Sequence, residues 1–207
     1  MSQVKPSLRD EQAALTRGRI LDAAAVAFGE GGFAGTRIED VAARAGVAVP
    51  TVYKVFTTKP TLLVSALQRA MAGGDTEGSL HQQSWFTEQL EEPDPGRQLR
   101  LVARNARRVY ERAGLLLNVL RAAGPLDPVL ATAWDDIAAE RLDRSRRTAR
   151  RLVAKSRGRV RMARDSVALT LWSLTEPELF ATYTGAGRTP EEYEDWLCDV
   201  LCRSLLT

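Results

Sequence analysis

The sequence predicts an all-α protein, and three observations carry that prediction. Apolar residues recur at spacings of three and four along the chain, no stretch alternates with period two, and Gly, Asp-Pro and Thr-Pro fall where helices would stop and start. The composition, 207 residues with 44% apolar and 27% charged, is that of a globular chain with enough length for one large or two modest domains. Two cysteines and one histidine argue against a disulfide framework or a zinc cluster, so no metal or cofactor is expected. No apolar run approaches the ~18 residues of a membrane span. The polar start MSQVKPSLRDEQ has no apolar h-region, and a cytoplasmic protein is expected. A net charge of +3 is too small by itself to point to nucleic acid.

Residues 1 to about 12 are polar, hold Pro6 and read as a loose arm. A helix follows from Ala13 to Glu30, with Ile20, Ala24, Ala27 and Phe28 on one face, and Gly31 and Gly32 stop it. Thr36 opens a second helix; Glu39 lies three residues on, the spacing of a capping box. Its apolar stripe is Ile38, Val41, Ala42 and Ala45, and Gly46 permits a sharp turn. A third helix starts near Val49, with Pro50 in the first turn, where a missing N–H has no partner to lose. Val52 and Phe56 face inward, so Thr51 and Lys54 point elsewhere. Thr57 or Thr58 caps a longer helix bearing Leu62, Leu63, Ala66, Leu67 and Met71, which Gly73 and Gly74 end or bend. Short helices with glycine at the turn between the second and third make a helix-turn-helix pattern.

Downstream every segment reads as helix. Ser79 to Leu90 carries Trp85 and Phe86, and Asp94-Pro95 opens a helix to about Ala113. Gly114 separates that helix from a short apolar one, LLLNVLRAA, which Gly124-Pro125 breaks. Asp127-Pro128 starts a long helix through about Ser156. Ala163 to Thr184 is another, with Pro177 inside it, and Thr189-Pro190 caps the last, Glu191 to Leu206.

Ile20-Leu21, Ala23-Ala24, Phe28, Gly31, Thr36, Ile38, Val41-Ala42, Ala45-Gly46-Val47, Thr51-Val52-Tyr53, Phe56, Lys59 and Leu62 follow one another in a specific order. As an ensemble, dense over residues 17 to 63, they resemble the DNA-binding region of the TetR (tetracycline repressor) family of transcriptional regulators. The tail LWSLTEPELFATYTGAGRTPEEYEDWLCDVL looks like the last two helices with which that family dimerises. Residues 75 to 160 resemble it only in being helical. The resemblance implies an N-terminal three-helix helix-turn-helix DNA-binding domain, residues 13–58. It also implies a larger C-terminal helical ligand-binding and dimerisation domain, residues 59–207. Two positions depart from the pattern: Ala48 stands where serine is usual, and Val55 where histidine is common. Both usual residues can contact phosphate, so one or two backbone contacts are put in question, but not the fold.

The second helix of a helix-turn-helix enters the major groove, and residues near its N-terminus reach base edges. Here those are Val49, Pro50, Thr51 and Lys54. The first two offer apolar contact, the others hydrogen bonds, and a lysine suits guanine. Tyr53 presents a hydroxyl for phosphate, and Lys59, Thr36, Arg37 and Arg44 are further phosphate candidates at helix ends. Against this, Tyr53 could be a core-edge residue, and Lys54 alone would be an ordinary solvated lysine. Residues 1 to 60 hold eight Lys/Arg and six Asp/Glu, so one protomer would bind weakly. Two heads one duplex turn (~34 Å) or more apart would combine their contacts. A homodimer is therefore expected.

The candidate dimer surface is Leu171, Leu174, Tyr183, Tyr193, Trp196, Leu197, Val200, Leu201 and Leu205, two helices of each protomer forming a four-helix bundle. The alternative is that these residues form the core of a single chain. Trp85, Phe86, Tyr110, Leu116, Leu120, Trp134, Trp172 and Phe180 are candidate linings of a pocket for an unknown, largely hydrophobic small-molecule effector. Glycines and prolines at 114, 124, 125, 128 and 177 interrupt helices and would make room for it. Cys198 and Cys202, four apart on one helical face, read as packing, and His81 is given no role. The basic run 141–164 has three readings: a solvated helix face, a second nucleic-acid patch, or a site for acidic ligands. No paired histidines, metal-ligand spacing or glycine-rich phosphate loop is present, so an enzyme is not expected. The expected partners are a double-stranded DNA operator, a second copy of the chain and a small molecule, with no membrane. A helical protein-interaction adaptor is the alternative.

Overall fold

The structure, a computed structural model, describes residues 7–74, 84–160 and 162–207. These form ten helices: α1 Leu8–Gly35, α2 Ile38–Ala45, α3 Val49–Phe56, α4 Lys59–Ala72, α5 Ser84–Glu91, α6 Pro95–Ala123, α7 Pro128–Lys155, α8 Arg164–Leu174, α9 Pro177–Gly185 and α10 Pro190–Leu205. No strand occurs among the described residues, and no described helix is long and apolar enough to cross a membrane. His81, to which no role was given, lies outside the described residues, as do the first six residues of the expected arm.

The rest of that arm is helix. The Asp10 N–H donates to the Ser7 hydroxyl, and the Ser7 N–H donates to the Asp10 carboxylate, both at 3.2 Å. This reciprocal cap starts α1 at Leu8, five residues before the expected Ala13. The expected stop at Gly31-Gly32 is present as a break inside α1: at Gly32 φ is 64° and ψ is −175°, a backbone region open essentially to glycine alone, and a short helical stretch follows it to Gly35.

The break changes the role of Thr36. Its side chain is buried, and its hydroxyl donates to the carbonyls of Ala27 and Gly32 at 3.0 and 2.7 Å. The expected capping box with Glu39 does not form; Arg37 holds the N-cap position of α2 without a side-chain bond. Backbone carbonyls exposed where a helix ends need donors, and here that need draws the hydroxyl backwards.

Two further boundaries differ from expectation. Gly114 does not divide α6, which is continuous to Ala123. Glycine weakens a helix interior by only about 1 kcal/mol, and Ala113, Leu116 and Leu117 on either side are buried. A Cβ at Gly114 would stand 3.9 Å from the Phe180 ring, so the glycine is where α9 comes close. Conversely, the expected helix from Ala163 to Thr184 is two. Pro177 has no N–H to continue the ladder, and it becomes the first residue of α9 after an extended Glu176.

α6 is the central helix, packed on α10, α4, α1, α7 and α9. One apolar core runs without interruption from Ile20 in α1 to Leu205 in α10. Arg112 of α6 donates to the carbonyls of Ala70 and Met71 at 3.2 Å each, closing the C-terminal end of α4. Arg107, five residues earlier, holds Glu194 of α10 and Glu111, each at 2.7 Å. These carboxylates raise its pKa above the ordinary guanidinium value. The C-terminus is tied down by the Thr207 N–H on the Arg159 carbonyl at 2.8 Å.

Candidate nucleic-acid interface and ligand cavity

The turn between α2 and α3 fixes the reading helix. Gly46 adopts φ 64°, ψ 42°, the left-handed conformation that costs a side chain. The N–H groups of Gly46 and Val47 donate to the carbonyls of Ala43 and Ala42 at 3.1 and 3.0 Å, closing α2. A Cβ at Gly46 would lie 2.6 Å from the Arg19 guanidinium, which reaches from α1 to donate to the Ala45 carbonyl at 2.5 Å. The positive φ therefore demands glycine, while the Arg19 guanidinium, the end of a flexible side chain, would have to give way to any Cβ. Val52 and Phe56 are buried on the inner side of α3.

The opposite side of α3 is open. Pro50, Tyr53 and Lys54 are exposed, Tyr53 by 47%, while Val49 and Thr51 are half-buried. The alternative of Tyr53 as a core-edge residue does not fit that exposure. Ala48 caps α3 with no side-chain hydrogen bond; the Thr51 N–H donates to the Ala48 carbonyl at 2.9 Å, and Pro50 has no N–H to satisfy. Arg37 and Arg44 are exposed and engaged only with Glu39 and Glu30, at 3.6 and 2.5 Å. Exposed pairs of this kind are weak and can be exchanged for phosphate.

Two sequence candidates are occupied otherwise. Thr36 is buried with its hydroxyl used, so it is not a phosphate ligand; that expectation is corrected. Lys59 sits 4.8 Å over the Phe33 ring, with the Ala34 carbonyl 3.4 Å away, and loss of hydration holds its pKa below the ordinary lysine value. It ties the segment after the Gly32 break to the start of α4. Sequence reasoning missed Arg17, whose guanidinium lies 4.6 Å over the Phe56 ring at the end of α3, and Arg19. Both sit in the middle of α1, and nothing local announces that they meet residues 26 and 39 positions on.

A cavity of about 80 Å³ lies between α4, α5, α6, α7 and the α8–α9 break. Trp85, Phe86 and Tyr110 line it as expected, with Val109, Leu117 and Ile137. Leu116, Leu120, Trp134, Trp172 and Phe180 do not line it. Leu116 and Leu120 are buried in the core on other faces of α6. Phe180 packs on Tyr110 and Tyr193, with ring centroids 5.8 and 5.1 Å away. Trp134 packs against the core, and Trp172 lies under the Arg141 guanidinium at 5.9 Å.

The sequence did not disclose the cavity's polar wall. Asn105 donates to Gln89 and Gln89 to Thr148, both at 3.0 Å. Arg141 binds the Glu176 carboxylate at 2.7 Å and the carbonyls of Trp172 and Thr175 at 2.9 and 3.0 Å, bridging the α8–α9 break. Tyr110 donates to the same Thr175 carbonyl, and burial raises its pKa. Arg144 and Ser145 complete the wall. A signal was available: continuing the α7 stripe from Leu130, Trp134 and Ile137 in steps of three and four lands on Arg141, Arg144 or Ser145, and Thr148 before Leu152. The run 141–164 is thus not simply a solvated face; its first part turns polar groups inward.

The expected dimer residues divide. Leu171, Tyr193, Leu197, Leu201 and Leu205 are buried in the single chain, at 2% exposure or less. This corrects their assignment to an interface, because a fully enclosed side chain has nothing left to offer a second copy. Leu174, Tyr183, Trp196 and Val200 are half-buried. Tyr183 and Trp196 stack with centroids 5.2 Å apart.

The architecture is that of an all-helical protein with an N-terminal helix-turn-helix head joined by α4 to a larger helical body. Residues 20–66 match the bacterial regulatory proteins of the tetR family, and over this stretch the chain is similar to that family. The HTH-type transcriptional repressor KstR of Rhodococcus jostii is 31% identical over 160 residues, covering 74% of this chain and 65% of that protein. The chain thus spans just under two thirds of that relative's length. A TetR-family transcriptional regulator from Mesorhizobium loti superposes with TM-score 0.71 at 24% identity, covering 97% of this chain and all of that one. A transcriptional regulator from Saccharomonospora viridis, in complex with choline, gives 0.72 at 18% identity, with 95% and 99% covered. These two likenesses show the fold.

Proposed function

We propose that the protein is a homodimeric, sequence-specific DNA-binding repressor acting in the cytoplasm, released from its operator by a small molecule in the cavity. The division into a DNA-binding head, residues 13–58, and an effector and dimerisation body, residues 59–207, belongs to this reading. Pro50, Tyr53 and Lys54, with Val49 and Thr51 at their flank, face the major groove; Arg37 and Arg44 reach phosphate. The half-buried Leu174, Tyr183, Trp196 and Val200 contribute to the surface on which two copies meet.

One observation carries the ligand control. Met71, in the last turn of α4, lines the cavity, while the first turn of α4 follows α3 after two residues. A ligand that displaces Met71 moves a rigid lever whose other end holds the reading helix. A ligand that prefers the displaced position lowers operator affinity, and by linkage operator DNA lowers affinity for the ligand equally. The repressor relatives support the direction of control.

The test is a titration of labelled DNA from upstream of the protein's own gene, repeated at several salt concentrations. The native chain is expected to bind a defined site as a dimer. The double substitution Tyr53→Ala, Lys54→Ala weakens binding at least about a hundredfold, two base or phosphate contacts having been removed, and leaves the dimer intact. Full-strength binding by the double variant rejects the proposed interface.

A further inference from the structure

We infer that the ligand of this cavity is an apolar molecule bearing one carboxylate, and that Arg144 is the group that binds it. The inference rests on the ligand-controlled reading above and names the ligand's chemical class.

The cavity's two guanidinium groups are in different states. Arg141 has its counter-charge: a carboxylate and two carbonyls surround its two terminal nitrogens within 3.0 Å, and only its buried Nε is without a partner. Arg144 is also largely enclosed, its side chain 16% exposed, yet its buried Nη1 has no hydrogen-bond partner in the protein. The nearest carboxylate, Glu140, is 3.7 Å away, too far for a hydrogen bond, and is itself 48% exposed. Asp143 is bound to Arg147 at 2.7 Å. Among the charges that line or directly bridge the cavity wall, Glu176 answers Arg141 and nothing inside answers Arg144.

A buried charge without a hydrogen-bonded counter-charge is costly. Burial accordingly holds the pKa of Arg144 below the ordinary guanidinium value. The neutral groups opposite make no such demand, because Gln89, Asn105 and Thr148 satisfy one another in a chain. An incoming carboxylate presents two oxygens to the planar fork of Arg144, the geometry guanidinium recognises best. The rest of the wall, Trp85, Phe86, Val109, Leu117 and Ile137, is apolar and takes a hydrocarbon body. A quaternary ammonium such as choline, the ligand of the Saccharomonospora viridis regulator, would here meet an unanswered positive charge.

The experiment uses the full-length protein and follows Trp85 fluorescence and binding heat with octanoate, octanamide and choline. Octanoate is expected to bind at least about tenfold more tightly than octanamide, the gain of a charge-assisted hydrogen bond, and choline is not expected to bind. Arg144→Gln should abolish the preference for the acid and leave octanamide binding unchanged; its melting curve reports whether it folds, and if it does not, the native-chain comparison decides. Equal or tighter binding of octanamide, binding of choline as tight as octanoate, or binding of neither chain compound overturns the inference. Operator release is measured alongside. Octanoate that binds without releasing operator rejects ligand control and leaves the site standing; release by octanamide as effective as by octanoate rejects the site and leaves ligand control standing.

Discussion

The reading head and the cavity are built from the same helical material by opposite routes. The head is local: Gly46, Val52, Phe56 and the exposed Pro50, Tyr53 and Lys54 lie within eleven residues, and the turn admits one arrangement of them. The cavity is assembled from six helices and from residues as far apart as Met71 and Pro177. In the head the inward Val52 and Phe56 are buried, and the outward Pro50, Tyr53 and Lys54 are open to solvent. In the body, polar groups occupy inward positions and leave a void. A recognition surface can be displayed by a short motif, whereas a ligand site needs a hole, and a hole needs distant elements that fail to meet.

Stability should register that contrast. Leu120 and Leu117 lie one turn apart on α6, both essentially buried, but only Leu117 lines the cavity. Leu120→Ala should cost about 2–5 kcal/mol of unfolding free energy. Leu117→Ala should cost less by about 1 kcal/mol, because a side chain facing a void has fewer partner atoms to lose. Chemical denaturation measures both, and an equal or larger loss at Leu117 would mean that the cavity is closed in solution.

In the head the sensitive element is the turn. Gly46→Ala forces a side chain into the left-handed region and against the Arg19 guanidinium, at a cost of about 1–3 kcal/mol. Operator binding should fall while near-ultraviolet dichroism of the body's tryptophans is unchanged. If the body's signal changes too, head and body do not behave as separable regions.

The smallest effect concerns chemistry rather than stability. Burial and the neighbouring Cys198 push the Cys202 thiol up to about 11. Raised above its unfolded value, the thiol stays protonated in the folded chain, so stability falls as pH rises through roughly 9 to 11. At pH 8 its alkylation should be about a hundredfold slower than in the unfolded chain, read by mass spectrometry; equal rates would place Cys202 in an open environment.

The two regions were unequally legible in the sequence. The helix-turn-helix could be read because its determinants, one glycine and a stripe of apolar residues, act over a few positions. Thr36 was misread within it because its hydroxyl had two possible helix ends to satisfy, and the choice depended on the break at Gly32. Gly114 and Pro177 were both read as interruptions to be weighed alike. Packing overrode the first, since glycine merely weakens a helix, and could not override the second, since proline lacks the donor. The cavity residues divided for the same reason that the dimer residues did: periodicity says that Leu116, Leu120, Leu197 and Leu201 face inward, but not which neighbour they face. Arg141, Ser145 and Thr148 were hidden in a basic run whose inward stripe is visible only when its phase is carried over from Leu130.

The central claim is that filling the cavity moves the reading helices, and cavity filling without any ligand tests it most directly. Ala106 lines the cavity from α6, and Ala106→Leu places a permanent occupant there. Operator affinity of the full-length dimer, measured by fluorescence anisotropy beside the native chain, is predicted to fall at least about tenfold, the usual scale of coupling between sites, with dimerisation and the melting transition retained. An Ala106→Leu dimer that is folded and binds operator as tightly as the native protein would contradict the account.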